Sequence, residues 1–450
     1  MRLSFDRGTL LLPGDLEDAG SLPGMRWDAR VSAWRAPACA YRELCRELRL
    51  RRIPFCDEAL PRLPRPPAVA APELRPYQAA ALAAWEAAGA RGIVSLPTGA
   101  GKTRVAVAAM AHTRLRTLCI VPTRALMAQW VETLRAIPAL PVGEFGDGRR
   151  TEGPVTVATF SSARRHMETL GNRHSLLVID EVHHLGSGLG EEILEMSAAG
   201  ARLGLSATMP EDPCRVGRLE ALVGPEIYSA RVEELAGRWL APYSLVTISV
   251  GLSPREREAY EFELAVFRPF CREFFDRSPG AGWEDFTRFA VRSNEGKRAL
   301  AAWRRSRKII HYTEEKRRIV GALLGEHRDS RVLAFTADND TAYAIAREHL
   351  VQPVTCDIGR RERRLALERF AAGELRVLVS ARVLNEGIDV PAADVAIVIG
   401  GSLGAREYIQ RVGRVLRPAE GKKAVVYDLV TAGTFEVRQA DSRRRALAPG

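Results

Sequence analysis

Residues 96–103 read LPTGAGKT, and each residue type in that run suits a task on a phosphate chain. Gly99, Ala100 and Gly101 let the backbone curl so that its N–H groups face anionic oxygens. The helix expected to follow aims its positive end at the same anion. Lys102 can reach the β- and γ-phosphates of a nucleoside triphosphate, and Thr103 can ligate Mg²⁺. Pro97 and Thr98 complete the loop. Leu96 stands where the strict phosphate-loop pattern has its first glycine.

A second run, LLVIDEVHH at 176–184, carries an apolar strand into two carboxylates. Asp180 is placed to hold Mg²⁺ through water, and Glu181 to orient or deprotonate an attacking water. Each run alone has a bland reading, a Gly-rich turn or a polar strand end. Together, with Lys102 preceding Asp180 by 78 positions, they point to ATP hydrolysis. His183 and His184 are adjacent, so their side chains diverge, and no cysteine stands near them. His183 is read as a residue coupling ATP to a neighbouring domain, not as a metal ligand.

Rigid strands must hold these groups. GIVSLP (92–97), RTLCIVP (116–122), VTVATF (155–160), SLLVID (175–180) and ARLGLSAT (201–208) are short apolar runs. QAAALAAWEAAGA (78–90) and TRVAVAAMAHT (103–113) read as helices. Apolar strands separated by helices predict βαβ units and a parallel sheet. The rhythm resumes in RVLAFTA (331–337), LRVLVSARV (375–383), DVAIVIG (394–400) and KAVVYDLV (423–430). Between the two series, residues 252–320 show helical periodicity. PRLPRPPAVAAP (61–72) is an extended linker. The expected fold is α/β. A small N-terminal αβ domain (1–65) precedes two parallel-sheet domains (66–235 and 236–440), with a helical insertion at about 250–310. A basic tail (441–450) ends the chain.

A net charge of +11 suits a polyanionic partner, although an Arg-rich composition alone gives the same balance. The seven cysteines form no C-x-x-C pair, which argues against structural zinc and for reduced thiols in a cytoplasm. No apolar run reaches the ~20 residues that span a bilayer, so no membrane contact is expected. Trp27 and Trp34 are read as core, with base stacking as the alternative. Phe267, Phe270, Phe274 and Phe275, interleaved with Arg268 and Arg272, fit either a helical core or a grip on DNA.

In combination and in order, these runs resemble a superfamily 2 helicase of the DExH type. LRPYQ (74–78) resembles the element before the first domain, VPTRALMAQW (121–130) motif Ia, and ATF (158–160) motif Ib. LSAT (205–208) resembles motif III, SARVLNEGIDVP (380–391) motif V, and EYIQRVGRVLRP (407–418) motif VI. Within that superfamily the chain resembles the XPB-like DNA helicases, particularly their short prokaryotic members. DEVHH, GIDVP and REYIQRVGRVLRP carry this. RWDARVSAWRAPACAYREL (26–44) resembles the group's small N-terminal domain, linked there to recognising distorted DNA. GLSPREREAYEFELAVFRPFCREF (251–274) resembles its thumb-like insertion.

The resemblance implies two RecA-like domains with ATP between them. It places Arg75 and Gln78 at the nucleotide, Gln78 on adenine, and Gly387 and Asp389 at the cleft. Arg414 and Arg417 are the implied arginine fingers, aided by Gln410 and Arg411. Ser206 and Thr208, with His183, would link ATP state to domain closure. Thr123, Arg124, Thr159 and Thr336 would meet nucleic-acid phosphates without reading sequence. The implied activity is that of an ATP- and Mg²⁺-dependent 3′→5′ DNA helicase, acting on single-stranded or forked DNA in repair, with a possible separate nuclease partner. One stretch departs from the group: MPEDPCR (209–215) has Pro210 before Glu211 and Asp212, where XPB-like proteins carry Arg-Glu-Asp. This keeps a double-stranded DNA translocase without unwinding in play. A damage-binding scaffold is the non-enzymatic alternative.

Overall fold

β1 (Arg2–Asp6) and β2 (Thr9–Pro13) pair antiparallel through a turn at Arg7 and Gly8, both at positive φ. Period-two alternation buries Leu3, Leu10 and Leu12 on one face. β3 (Arg26–Asp28), β4 (Ala33–Pro37) and β5 (Cys56–Glu58) complete a sheet of order β3-β4-β2-β1-β5. The helix Tyr41–Leu50 closes that face with Leu44, Cys45 and Leu48, the spacing of an apolar stripe.

Trp27 departs from its core reading. It is 49% exposed, meeting Trp34 edge-on with ring centroids 5.5 Å apart. The reason is local. β3 is a three-residue edge strand whose inward position is taken by Asp28, which accepts bonds from Arg30 and Arg35. Trp34 is half-buried and packs against the module's core.

In this computed structural model the described residues are 1–14, 19–188, 190–239, 241–381, 393–400 and 424–447. The chain packs as two units, one built on Met1–Glu234 and the other on residues from Leu235 onward.

The first unit also holds an eight-stranded sheet. Its strands are β6 (Arg91–Ser95), β7 (Thr117–Val121), β8 (Val142–Gly146), β9 (Arg149–Thr151), β10 (Val155–Thr159), β11 (Leu176–Asp180), β12 (Ala201–Ser206) and β13 (Glu226–Ser229). Their order is β13-β6-β12-β11-β7-β10-β8-β9, parallel except for the β8–β9 pair. β7, β10, β11 and β12 are buried at every residue, as strands covered on both faces must be.

The N-terminal module docks on this sheet. Arg42 Nη1 donates to Gly89 O at 2.8 Å and Gly200 O at 3.4 Å, and Arg91 Nη1 donates to Glu43 Oε1 at 2.7 Å. Gly89 and Gly200 precede β6 and β12, so the docking edge is the one where the parallel strands begin. Cys39 packs into the sheet's own core, and burial pushes its thiol pKa up. Beside it Arg202 is fully buried and donates to the carbonyls of Ala199, Leu222 and Ser197.

The second unit has a six-stranded parallel sheet of order β14-β19-β18-β15-β17-β16. These are β14 (Tyr243–Val250), β15 (Val332–Phe335), β16 (Gln352–Pro353), β17 (Val377–Ser380), β18 (Val395–Val398) and β19 (Ala424–Thr431). The helices Pro254–Arg277, Trp283–Ala290 and Asn294–His311 lie between β14 and β15 in sequence. Phe267, Phe270, Phe274 and Phe275 converge there on Phe286 and Leu300, leaving Arg268 and Arg272 exposed. Residues 441–447, within the stretch expected as a basic tail, continue the helix Phe435–Leu447. Arg443 explains this: it is buried and pairs bidentately with Asp428 of β19.

Candidate nucleotide site

Lys102 opens the helix Lys102–Thr113, with Gly101 as its N-cap at φ +80°. That left-handed conformation favours glycine, and a Cβ there would also lie 2.5 Å from Gln78 Nε2. Lys102 Nζ donates to Leu96 O at 3.1 Å. Leu96 is fully buried and its N–H donates to Ser206 O at 2.9 Å. The residue that breaks the loop pattern is therefore a core anchor whose carbonyl steadies the lysine.

Two side chains from the helix Pro76–Ala87 brace the loop. Tyr77 Oη donates to Ala100 O at 2.7 Å, and Gln78 Nε2 donates to the same oxygen at 2.8 Å. Gln78 Oε1 accepts from Arg75 N at 2.9 Å. Gln78, expected on adenine, thus has both ends of its amide engaged with the protein and is 1% exposed.

Asp180 and Glu181 lie at the tip of β11. In the sheet register Asp180 pairs with Leu205, and Ser206 pairs with Ser95, the last residue of β6. The phosphate loop and the two carboxylates thus leave strands separated only by β12, about 10 Å apart at two strand spacings. Asp180 is buried. Its Oδ2 accepts from Trp130 Nε1 at 2.8 Å and its Oδ1 from Glu181 N at 3.0 Å. Glu181 adopts φ +51°, a left-handed conformation that costs a non-glycine residue energy.

β12 joins the two elements chemically as well. His183 Nδ1 and Ser206 Oγ are 2.9 Å apart, and Ser206 Oγ donates to Thr208 O. From the next helix, Pro213–Leu222, Arg215 Nη2 donates to His183 O at 2.8 Å. Asp212 caps that helix by accepting from Cys214 N, Pro210 is buried and Glu211 is exposed.

These residues fit a bound nucleoside triphosphate with its metal. The loop presents a helix start and an ammonium. Thr98 Oγ1 and Ser95 Oγ are buried beside it and have no hydrogen-bond partner among the described residues. Thr103 and Asp180 supply the hard oxygen donors that Mg²⁺ prefers.

The expected nucleic-acid contacts have hydroxyls that serve the protein's own helix starts and turns. Thr123 Oγ1 caps the helix Arg124–Arg135 by accepting from Leu126 N, and Thr159 Oγ1 caps Phe160–Leu170 by accepting from Ser162 N. Arg124 is exposed and pairs with Asp147 at 2.9 Å. In the second unit Thr336 is buried, its Oγ1 donating to Asp338 O. Gly387, Asp389, Gln410, Arg411, Arg414 and Arg417 lie outside the described residues.

Sequence reasoning missed Trp130, Tyr77 and Arg215. Trp130 was in view, as the last residue of VPTRALMAQW, and an indole donor near a strand rich in apolar residues is a signal worth pursuing. Nothing local marks Arg215 among so many arginines.

The comparisons agree with this architecture. Residues 3–59 match the Xeroderma pigmentosum group B helicase damage recognition domain, residues 71–211 the type III restriction enzyme res subunit, and residues 315–419 the helicase conserved C-terminal domain. The DNA 3′-5′ translocase XPB2 of Sulfurisphaera tokodaii is 36% identical over 94% of this chain and 96% of its own. The DNA 3′-5′ helicase XPB of Mycobacterium tuberculosis is 31% identical over 84% of this chain and 64% of its own. The Pyrococcus furiosus Hef helicase domain superposes with a TM-score of 0.53 at 20% identity, covering 82% of this chain and 98% of that one. Saccharomyces cerevisiae Dbp5 bound to RNA and ADP BeF3 gives 0.55 at 15%, over 83% and 87%. Both structures show the fold, two RecA-like helicase domains. With the Sulfurisphaera tokodaii relative matched almost end to end at 36% identity, this chain belongs to the XPB family of helicases.

Proposed function

We propose that this chain is an ATP-driven, 3′→5′ DNA motor, a helicase or translocase working in DNA repair. One observation carries the catalytic part: Lys102 and the Asp180–Glu181 pair leave the C-terminal tips of strands separated only by β12. ATP would lie with its phosphates on the N–H groups of residues 97–103 and on Lys102. Mg²⁺, held by Thr103 and Asp180, would neutralise phosphate charge when bound. Glu181 would orient and deprotonate the attacking water. Arg414 and Arg417 would supply charge to the γ-phosphate, aided by Gln410 and Arg411, and Gly387 and Asp389 would sense the nucleotide. Arg75 and Gln78 would act by holding the loop.

DNA is the proposed substrate because the family's relatives are named for it and the chain is basic. Thr123, whose hydroxyl accepts from Leu126 N, would donate that hydroxyl's proton to a phosphate and Arg124 its guanidinium, whereas Thr159 and Thr336 would have to exchange an internal hydrogen bond, since both hydroxyls donate within the protein and Thr336 N donates to Ser380 O. His183, Ser206 and Thr208 form the proposed coupling path. Among the described residues no group of three or more His, Cys, Asp or Glu side chains could hold a metal ion. A separate nuclease partner is proposed on the resemblance to the short prokaryotic XPB-like proteins. A cytoplasmic site of action fits the seven unpaired cysteines. Among the described residues no helix is long and apolar enough to cross a membrane.

The second reading, a translocase without strand separation, is favoured by the buried Pro210 and by Asp212 serving as a helix cap. Steady-state ATP hydrolysis decides between them when measured with no nucleic acid, single-stranded DNA, duplex, fork and RNA at two salt concentrations. Stimulation by fork or single strand supports the helicase, and preference for plain duplex the translocase. No turnover on any of them rejects the motor.

A further inference from the structure

A cleft of about 920 Å³ opens between the helices Pro254–Arg277, Trp283–Ala290 and Asn294–His311 and the start of the helix Phe435–Leu447. Trp283, Trp303 and Phe435 line it with aromatic faces, and Arg268, Arg307 and Arg438 with cations. Two features separate it from the closed aromatic core beside it. Trp283 is 41% exposed and Trp303 half-buried, their ring centroids 4.8 Å apart. And among the described residues none of the three arginines forms an ion pair, although this chain is full of carboxylates that pair elsewhere.

Arg307 lies deepest. Its guanidinium carbon is 3.7 Å from the Phe435 ring centroid and 5.3 Å from that of Trp303. Burial draws its pKa down to about 10, with Glu436 and Tyr260 opposing. A half-buried cation between ring faces has lost water, and the nearby Glu436 carboxylate is already paired with Lys316 Nζ at 2.8 Å. A flat ring and an anion joined at short range would meet both needs. A nucleotide has that form: its base stacks on indole, and its phosphate matches the planar fork of arginine. An acidic peptide satisfies the charge but not the paired indole faces.

We infer that this cleft captures one unpaired nucleotide of a single strand, the base against Trp283 and Trp303 and the phosphate on Arg307 and Arg438. The inference rests on the reading of the chain as a DNA motor, but on none of that reading's residues.

The test uses the full chain and fluorescence anisotropy with two labelled probes, a short oligothymidylate and the same strand carrying abasic sites. Wild type should bind the base-bearing strand about five- to a hundredfold more tightly. Trp303→Ala should erase that preference, and Trp303→Phe should keep most of it. Arg438→Gln should weaken both probes and lower the salt slope by about one. Equal affinity of wild type for the two probes, or a preference that survives Trp303→Ala, overturns the inference. Displacement of the strand by thymidine monophosphate at equal nucleotide concentration overturns strand capture in favour of a free nucleotide. DNA-stimulated ATP turnover in the same preparation keeps the two readings apart. Stimulation without base preference removes the cleft and spares the motor, whereas base preference without stimulation does the reverse.

Discussion

Trp130 Nε1 donates a 2.8 Å hydrogen bond to Asp180 Oδ2, and both side chains are buried. The helix Arg124–Arg135 and the tip of β11 are thereby tied at the carboxylate proposed to hold Mg²⁺. A buried carboxylate needs hydrogen-bond donors, and this one has the indole and the Glu181 amide.

Trp130→Phe keeps the ring and removes the donor. A hydrogen bond to a charged group is worth about 1.5–3 kcal/mol, so denaturant unfolding should show a loss of that order. ATP turnover should fall about tenfold as the carboxylate loses its orientation. Lost stability with wild-type turnover would make Trp130 a purely structural residue.

Lys102→Ala and Glu181→Gln separate binding from chemistry. Lys102→Ala should lose both nucleotide affinity and turnover. Glu181→Gln should bind a fluorescent ATP analogue as wild type does yet turn over roughly 10²-fold more slowly or worse. Circular dichroism should be unchanged in both. Full activity in either variant would sink the proposed site.

Gly101→Ala places a methyl group at φ +80° and 2.5 Å from Gln78 Nε2. The conformation alone costs about 1–2 kcal/mol, and the loop must shift as well. Nucleotide affinity should drop about tenfold or more by titration calorimetry. Adding Gln78→Ala removes the steric part and should recover some affinity. Because Gln78→Ala also removes the brace on Ala100 O, the double variant is compared with Gln78→Ala alone: an undiminished loss on adding Gly101→Ala would show that backbone conformation is the whole effect.

His174 gives a pH dependence. It is 2% exposed, and burial first, then the charge of Arg116, draws its pKa from 6.5 to about 4. A histidine whose folded pKa is lowered stabilises the fold fully above its unfolded value. That contribution is lost as pH falls from about 6.5 toward 4. The loss for the first unit should be on the order of 3 kcal/mol across that window. His174→Asn should flatten the thermal-unfolding profile over the same range. An unchanged profile would assign the pH response to other groups.

The parallel strands of the first unit were legible because covered strands are apolar throughout, and LLVID and TLCIV announce themselves. YSLVTISV went unread, although β14 fills it; its burial alternates because it forms a sheet edge. Trp27 was misjudged because the inward place on a three-residue strand went to Asp28, which no alternation rule foresees. At the site, the chemistry was legible and the bracing was not. Lys102, Asp180 and Glu181 are marked by their neighbours in sequence. Trp130 reaches Asp180 across 50 positions, and Tyr77 and Gln78 reach Ala100 across more than 20. Such partners are chosen by packing, which local sequence does not record.

Loops that start the strands of a parallel sheet usually lie on the surface and tolerate change. Here Arg42 holds the carbonyls of Gly89 and Gly200, and Cys39 enters the core beneath them. Docking has turned part of the motor's exterior into interior. A truncation that removes the first sixty residues would expose Met196, which packs against Gly8, together with Arg91 and the Arg202 pocket, inviting aggregation. Over evolution, the module and the rim beneath it can change only together, and a lineage could discard the module only by rebuilding that rim.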